Sequence, residues 1–214
     1  ILQPKIKIVT PYFIKSNEFN KFTIEGVTVA FPSNTFYEDI YLQFYVANNK
    51  AIIHQPTIPL DKNYTLTFDV SNFHESEKKQ LFIAYIDKKG KIEYQSTTKK
   101  ENTFYTNPKN LGTFVLMKDS LPPTIKLHNF NPKQWISKLH FIEIEVEDDL
   151  SGINSYAAEI NGEWILMEYD LKQKMLRYDF NDKILKGHKH QFKIKVSDKV
   201  GNTNLLETTF YRVE

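Results

Sequence analysis

In the stretch Phe141-Ile142-Glu143-Ile144-Glu145-Val146-Glu147, apolar and acidic side chains alternate from Ile142 onward. Successive side chains of a strand point to opposite faces, so this order gives one oily face and one charged face; a helix would scatter both kinds around its axis. The same alternation returns at Phe192-Lys193-Ile194-Lys195-Val196. Spacing of the helical kind is almost absent, and the pattern predicts an all-β chain of half-buried strands. In the first half strands are predicted near 5–9, 27–31, 40–46, 64–70, 80–87, 91–97 and 111–117. Asp87-Lys88-Lys89-Gly90-Lys91 reads as a hairpin turn in which glycine supplies positive φ. Composition agrees with β structure, because 16 Phe and 12 Tyr against 7 Gly suit side chains that pack across a pleated surface.

At 214 residues the chain has room for two domains. Asp119-Ser120-Leu121-Pro122-Pro123 breaks the alternation, since two prolines remove two backbone donors and hold the chain extended. The expected division is therefore 1–118 and 119–214. Within the second part, Asn161-Gly162 stands between Ala158-Glu159-Ile160 and Glu163-Trp164-Ile165-Leu166, a strong hairpin signal. Short strands with frequent turns over this part point to an immunoglobulin-like sandwich. The fold expected is two tandem β-sandwiches, the second immunoglobulin-like.

The 28 basic and 26 acidic residues are interspersed along the chain, so no stripe for a nucleic acid is expected. Cysteine is absent, which excludes disulfides and thiolate metal sites and leaves the compartment open. No apolar run approaches the roughly 20 residues that span a bilayer. The chain opens on Ile1 and passes directly into alternating residues, and it is read as a piece of something longer.

Several pieces of the second part resemble the immunoglobulin-like modules of bacterial surface and exported proteins. They are Asp119 with Pro122-Pro123, Asp148-Asp149-Leu150-Ser151-Gly152-Ile153, Asn161-Gly162-Glu163-Trp164, Gly187-His188 and Ser197-Asp198-Lys199-Val200-Gly201-Asn202. In the first part, Phe31 to Asp39 (FPSNTFYED), Ile58-Pro59-Leu60 and Leu111-Gly112-Thr113-Phe114 are similar to a region that follows the peptidase domain in lysostaphin-type zinc metallopeptidases. The resemblance implies the non-catalytic C-terminal region of an exported peptidoglycan hydrolase of the bacterial cell envelope. Its own upstream catalytic domain, an envelope protein, peptidoglycan or another glycan are the partners implied. The alternative is a stand-alone glycan- or protein-binding surface module of the adhesin kind.

Four groups of residues tempt a more chemical reading. His188-Lys189-His190 has the letters of a zinc-binding His-x-His, yet none of the histidines at 54, 74, 128, 140, 188 and 190 has the Asp four residues later that completes the family's ligand set. The plain reading puts Gly187-His188 at the turn into a core strand and His190 at the strand edge. Asp148, Asp149 and Asp198 could gather around Ca²⁺, or could simply hold their own turns by accepting backbone amides; the second reading is preferred. Trp135 and Trp164 could offer a platform for sugar rings. Trp164 is instead expected to share a face with Leu166 and fill the centre of the second domain against Ile144, Val146, Ile194 and Val196. Trp135 is the less constrained of the two. No catalytic, cofactor or metal residue is assigned, and the chain is not expected to be an enzyme by itself.

Overall fold

The computed structural model describes residues 11–213, so the strand expected over 5–9 lies outside the described residues. Among the described residues all the sheets are antiparallel, and helix is confined to single turns at Glu75–Lys78 and Phe180–Asp182. No helix among the described residues is long and apolar enough to cross a membrane. The chain divides into two compact units, the first ending at Lys118 and the second starting at Asp119.

The first unit contains β1 (Tyr12–Ile14), β2 (Asn20–Ile24), β3 (Val27–Phe31), β4 (Ile40–Leu42), β5 (Phe44–Ala47), β6 (Lys50–Ile53) and β7 (Thr65–Asp69). It continues with β8 (Leu81–Ile86), β9 (Ile92–Tyr94), β10 (Thr98–Lys100), β11 (Thr103–Thr106) and β12 (Gly112–Lys118). Its described strands form two five-stranded sheets, β10-β11-β7-β3-β2 and β5-β6-β12-β8-β9, and a separate small β1-β4 ladder. The order of burial along β3 and β7 is strictly alternate, and Val27, Val29, Phe31, Leu66 and Phe68 meet Ile53, Ile83 and Phe114 in one core. The expected strand 40–46 is two strands parted at Gln43, whose carbonyl accepts the His54 amide at 2.6 Å.

The second unit contains β13 (Thr124–Leu127), β14 (Phe141–Glu147), β15 (Ile153–Ile160), β16 (Glu163–Ile165), β17 (Glu168–Asp170), β18 (Met175–Asp179), β19 (Lys189–Asp198) and β20 (Thr203–Tyr211). Its sheets run β13-β14-β18-β17 and β16-β15-β19-β20, the strand order of an immunoglobulin-like sandwich. Ile142, Ile144 and Val146 from one sheet and Phe192, Ile194 and Val196 from the other are buried together, as the alternation requires. Asn161 (φ 56°) and Gly162 (φ 80°) form the expected tight turn between β15 and β16.

Trp164 corrects the expectation made for it. It shares a face with Leu166, but that face is the outer one: the two side chains are 65% and 55% exposed. The register pairs Trp164 with Glu159 and Ile165 with Ala158, so the strand turns Ile165 inward, and Met167 joins Ile165 in the core.

Candidate functional site

The acidic residues of the second unit meet at one end of its sandwich. Carboxylate oxygens of Asp119, Asp148 and Asp198 lie within 4.8 Å of one another. Asp119 precedes β13, Asp148 begins the turn from β14 to β15, and Asp198 closes β19 before the turn into β20. Asp149 is exposed and takes no part, whereas Asp119 does; the expected trio is therefore corrected at one member.

Each carboxylate in the cluster holds backbone. Asp198 Oδ1 accepts the amides of Val200, Gly201 and Asn202 at 3.0, 2.7 and 2.8 Å, and its Oδ2 accepts Asn202 Nδ2 at 2.8 Å. Asp148 Oδ2 accepts the amides of Leu150 and Gly152 at 3.3 and 2.6 Å. Asp119 accepts the Leu121 amide at Oδ1 and the Ser151 amide at Oδ2. Amide donors favour the ionised form, but partial burial pushes the Asp148 carboxyl upward, and the neighbouring carboxylates of Asp119 and Asp198 push the same way. The cluster thus ties three turns together.

The two histidines of the His-x-His letters part company. His188 is exposed beside Gly187 (φ 94°), while His190, the second residue of β19, is wholly buried with its ring 5.2 Å from that of Phe210. Its Nδ1 lies 3.1 Å from Asn161 Nδ2 and its Nε2 is 3.4 Å from the Arg212 carbonyl. Both ring nitrogens have protein partners, so the ring fastens the Asn161-Gly162 turn to β19.

The outward face of the β16-β15-β19-β20 sheet is more open to ligand chemistry. Register places Trp164, Glu159, Lys193 and Glu207 in one row across the four strands. Gln191 and Thr209 form the next pair, and with Glu159, Lys193 and Glu207 they line a shallow groove of about 410 Å³. Beyond it, Lys189 pairs with Tyr211, and Trp135 bridges to Tyr211 from outside the sheet. The Trp135 and Tyr211 rings stack at 5.3 Å with 28° between their planes, and Trp135 is 59% exposed. Both tryptophans therefore belong to this one face.

A family profile described as the Zu5-like domain matches residues 11–119, just over half of the 214-residue chain. The chain belongs to the Zu5-like domain family. Among curated proteins, none matches it significantly. The Zu5-like domain spans every described strand of the first unit, and its own surface carries a cross-strand ring pair, Phe13 and Tyr41, at 5.0 Å. Within it His54 is held at φ 52° with Nδ1 accepting the Gln43 amide at 3.1 Å. Burial lowers the pKa of this ring, and the accepted hydrogen bond requires Nδ1 to carry no proton.

Proposed function

We propose that the chain is a non-catalytic glycan-binding region, working beside a catalytic domain of an exported bacterial cell-envelope protein. One observation carries this reading: Trp164 and Trp135 are both exposed on the outward face of a single sheet, with the polar Glu159–Gln191–Lys193–Glu207–Thr209 groove on that same face. An indole left in water forgoes the burial that makes it valuable in a core. A sugar ring uses both halves of such a surface, laying its C–H face on an aromatic plane and directing hydroxyls to polar side chains. The non-catalytic part of the reading is supported by the acidic cluster, whose carboxylates are engaged by backbone amides. The resemblance to the region behind lysostaphin-type peptidase domains supplies the context and names peptidoglycan as the polymer to try first.

The test is sedimentation with purified peptidoglycan sacculi. The native chain is expected to pellet with them, and Trp164→Ala and Trp135→Ala are each expected to leave more of it in the supernatant. Unchanged pelleting of both variants would overturn the reading, as would a native chain that stays in solution with sacculi and with soluble polysaccharides alike.

A further inference from the structure

We propose that the Trp135–Tyr211 end of this face is a subsite for an acidic sugar, a ring bearing a carboxylate, within a longer glycan; the inference rests on the glycan-binding reading and adds the chemical class of ligand.

The indole is held in place before any ligand arrives. Residues 133–136 run beside β20, with the Lys133 amide on the Thr209 carbonyl at 2.6 Å, the Tyr211 amide on the Gln134 carbonyl at 2.8 Å and the Ile136 amide on the Tyr211 carbonyl at 2.8 Å. Gln134 Oε1 accepts the Asn131 amide at 2.8 Å and closes the loop on its other side. Tyr211 backs one face of the Trp135 ring, which leaves the other as a rigid platform. Preorganisation of this kind spares a ligand the cost of ordering its site.

Charge then selects among sugars. Lys133, two residues before Trp135, and Lys189, the cross-strand partner of Tyr211, are both exposed. Among the described residues neither forms an ion pair, whereas Lys193, further along the face, is paired with Glu207 at 3.3 Å. Among the described residues these two lysines flank the stacked pair without an acidic partner, and a carboxylate on a ring lying over Trp135 would be drawn to them. Glu159 and Glu207 line the adjoining groove, where their carboxylates can accept hydrogen bonds from sugar hydroxyls.

Affinity electrophoresis in native gels tests the idea with alginate, a uronic-acid polymer, and with carboxyl-reduced alginate as its neutral counterpart. Alginate is expected to retard the native chain at lower polymer concentration than the reduced polymer does. Lys133→Gln combined with Lys189→Gln should weaken alginate binding by about tenfold, roughly the worth of one charge-assisted hydrogen bond, and leave the reduced polymer's effect unchanged. Trp135→Ala should weaken both. Equal retardation by both polymers, with the lysine changes silent, would overturn the acidic-sugar assignment and leave the glycan reading standing. Retardation by neither polymer, together with no pelleting on sacculi, would overturn both. Tighter binding of single-stranded DNA than of alginate would reassign the subsite to nucleic acid.

Discussion

Gly112 lies against the ring of Tyr85: a Cβ built on this glycine would come within 2.8 Å of Tyr85 Cε2. The glycine also holds φ at +137°, a conformation that side chains of L-residues rarely adopt, so two independent reasons exclude any other residue. Tyr85 in turn packs its ring against Phe114 at 5.2 Å, which limits how far it can give way. Gly112→Ala is expected to lower the stability of the Zu5-like domain by about 2 kcal/mol or more, the scale of overpacking combined with backbone strain. Urea unfolding followed by circular dichroism measures it. An unshifted midpoint would mean that the ring is free to move.

His54 predicts how the same domain responds to acid. Its folded pKa lies below the ordinary value of 6.5, so between those two values the unfolded chain binds a proton that the folded one refuses. Stability is therefore full above the unfolded value and falls as pH drops through 6.5 toward the folded pKa. Thermal midpoints recorded from pH 8 to pH 5 should show this loss, and His54→Gln should flatten it. An equal slope in the variant would locate the titrating group elsewhere.

Asp198→Ala leaves the amides of Val200, Gly201 and Asn202 without their acceptor in the turn between β19 and β20. The residue is 1% exposed, and hydrogen bonds to a charged acceptor are each worth about 1.5–3 kcal/mol, so a loss of about 3 kcal/mol or more is expected for the second unit. Equilibrium unfolding of the variant checks the figure. Calcium in excess and chelator are expected to give the same midpoint for the native chain, because the carboxylates already have backbone partners; a rise with calcium would show instead that the cluster takes a cation.

Trp164→Ala is expected to change the unfolding free energy by less than about 0.5 kcal/mol, as an exposed position should. A loss approaching the 3–5 kcal/mol of a buried tryptophan would mean that the ring is covered in solution.

The reach of sequence reading follows from how local each cause is. β14 and β19 were legible because every inward position is Ile, Val, Phe or His and the outward ones are dominated by Glu and Lys, apart from the closing Ser197 and Asp198. β20 was not, since Leu205 faces out and Leu206 faces in, so the alternation is blurred by an apolar residue on each side. β18 hides its pattern in the same way, with Met175 and Leu176 both buried. For Trp164 the turn and the pairing were read correctly, but bulk pointed to the wrong face; Ile165 and Met167, smaller and less conspicuous, define the inner one. Asp119 escaped the candidate cation trio because its cross-chain partners are Ser151 and Asn202, 32 and 83 residues away. Its position before the double proline, at the end of the sandwich where the β14–β15 and β19–β20 turns converge, was the available signal.

Asp119 also decides where a mechanical load enters the second unit. Covalently it is the residue after Lys118, the last of β12, so tension carried along the chain from the Zu5-like domain arrives at this one position. There it is received by three noncovalent ties: Ser151 N–H on the Asp119 carboxylate at 3.1 Å, Asn202 Nδ2 on the Asp119 carbonyl at 3.0 Å and, four residues on, Asn204 Nδ2 on the Pro123 carbonyl at 2.8 Å. A pull on Asp119 is thus met by both the β14–β15 turn and the β19–β20 hairpin, and between the outer ties the Leu121 carbonyl also takes Asn202 Nδ2 at 3.4 Å, so residues 119–123 are fastened where a plain tether would hang free.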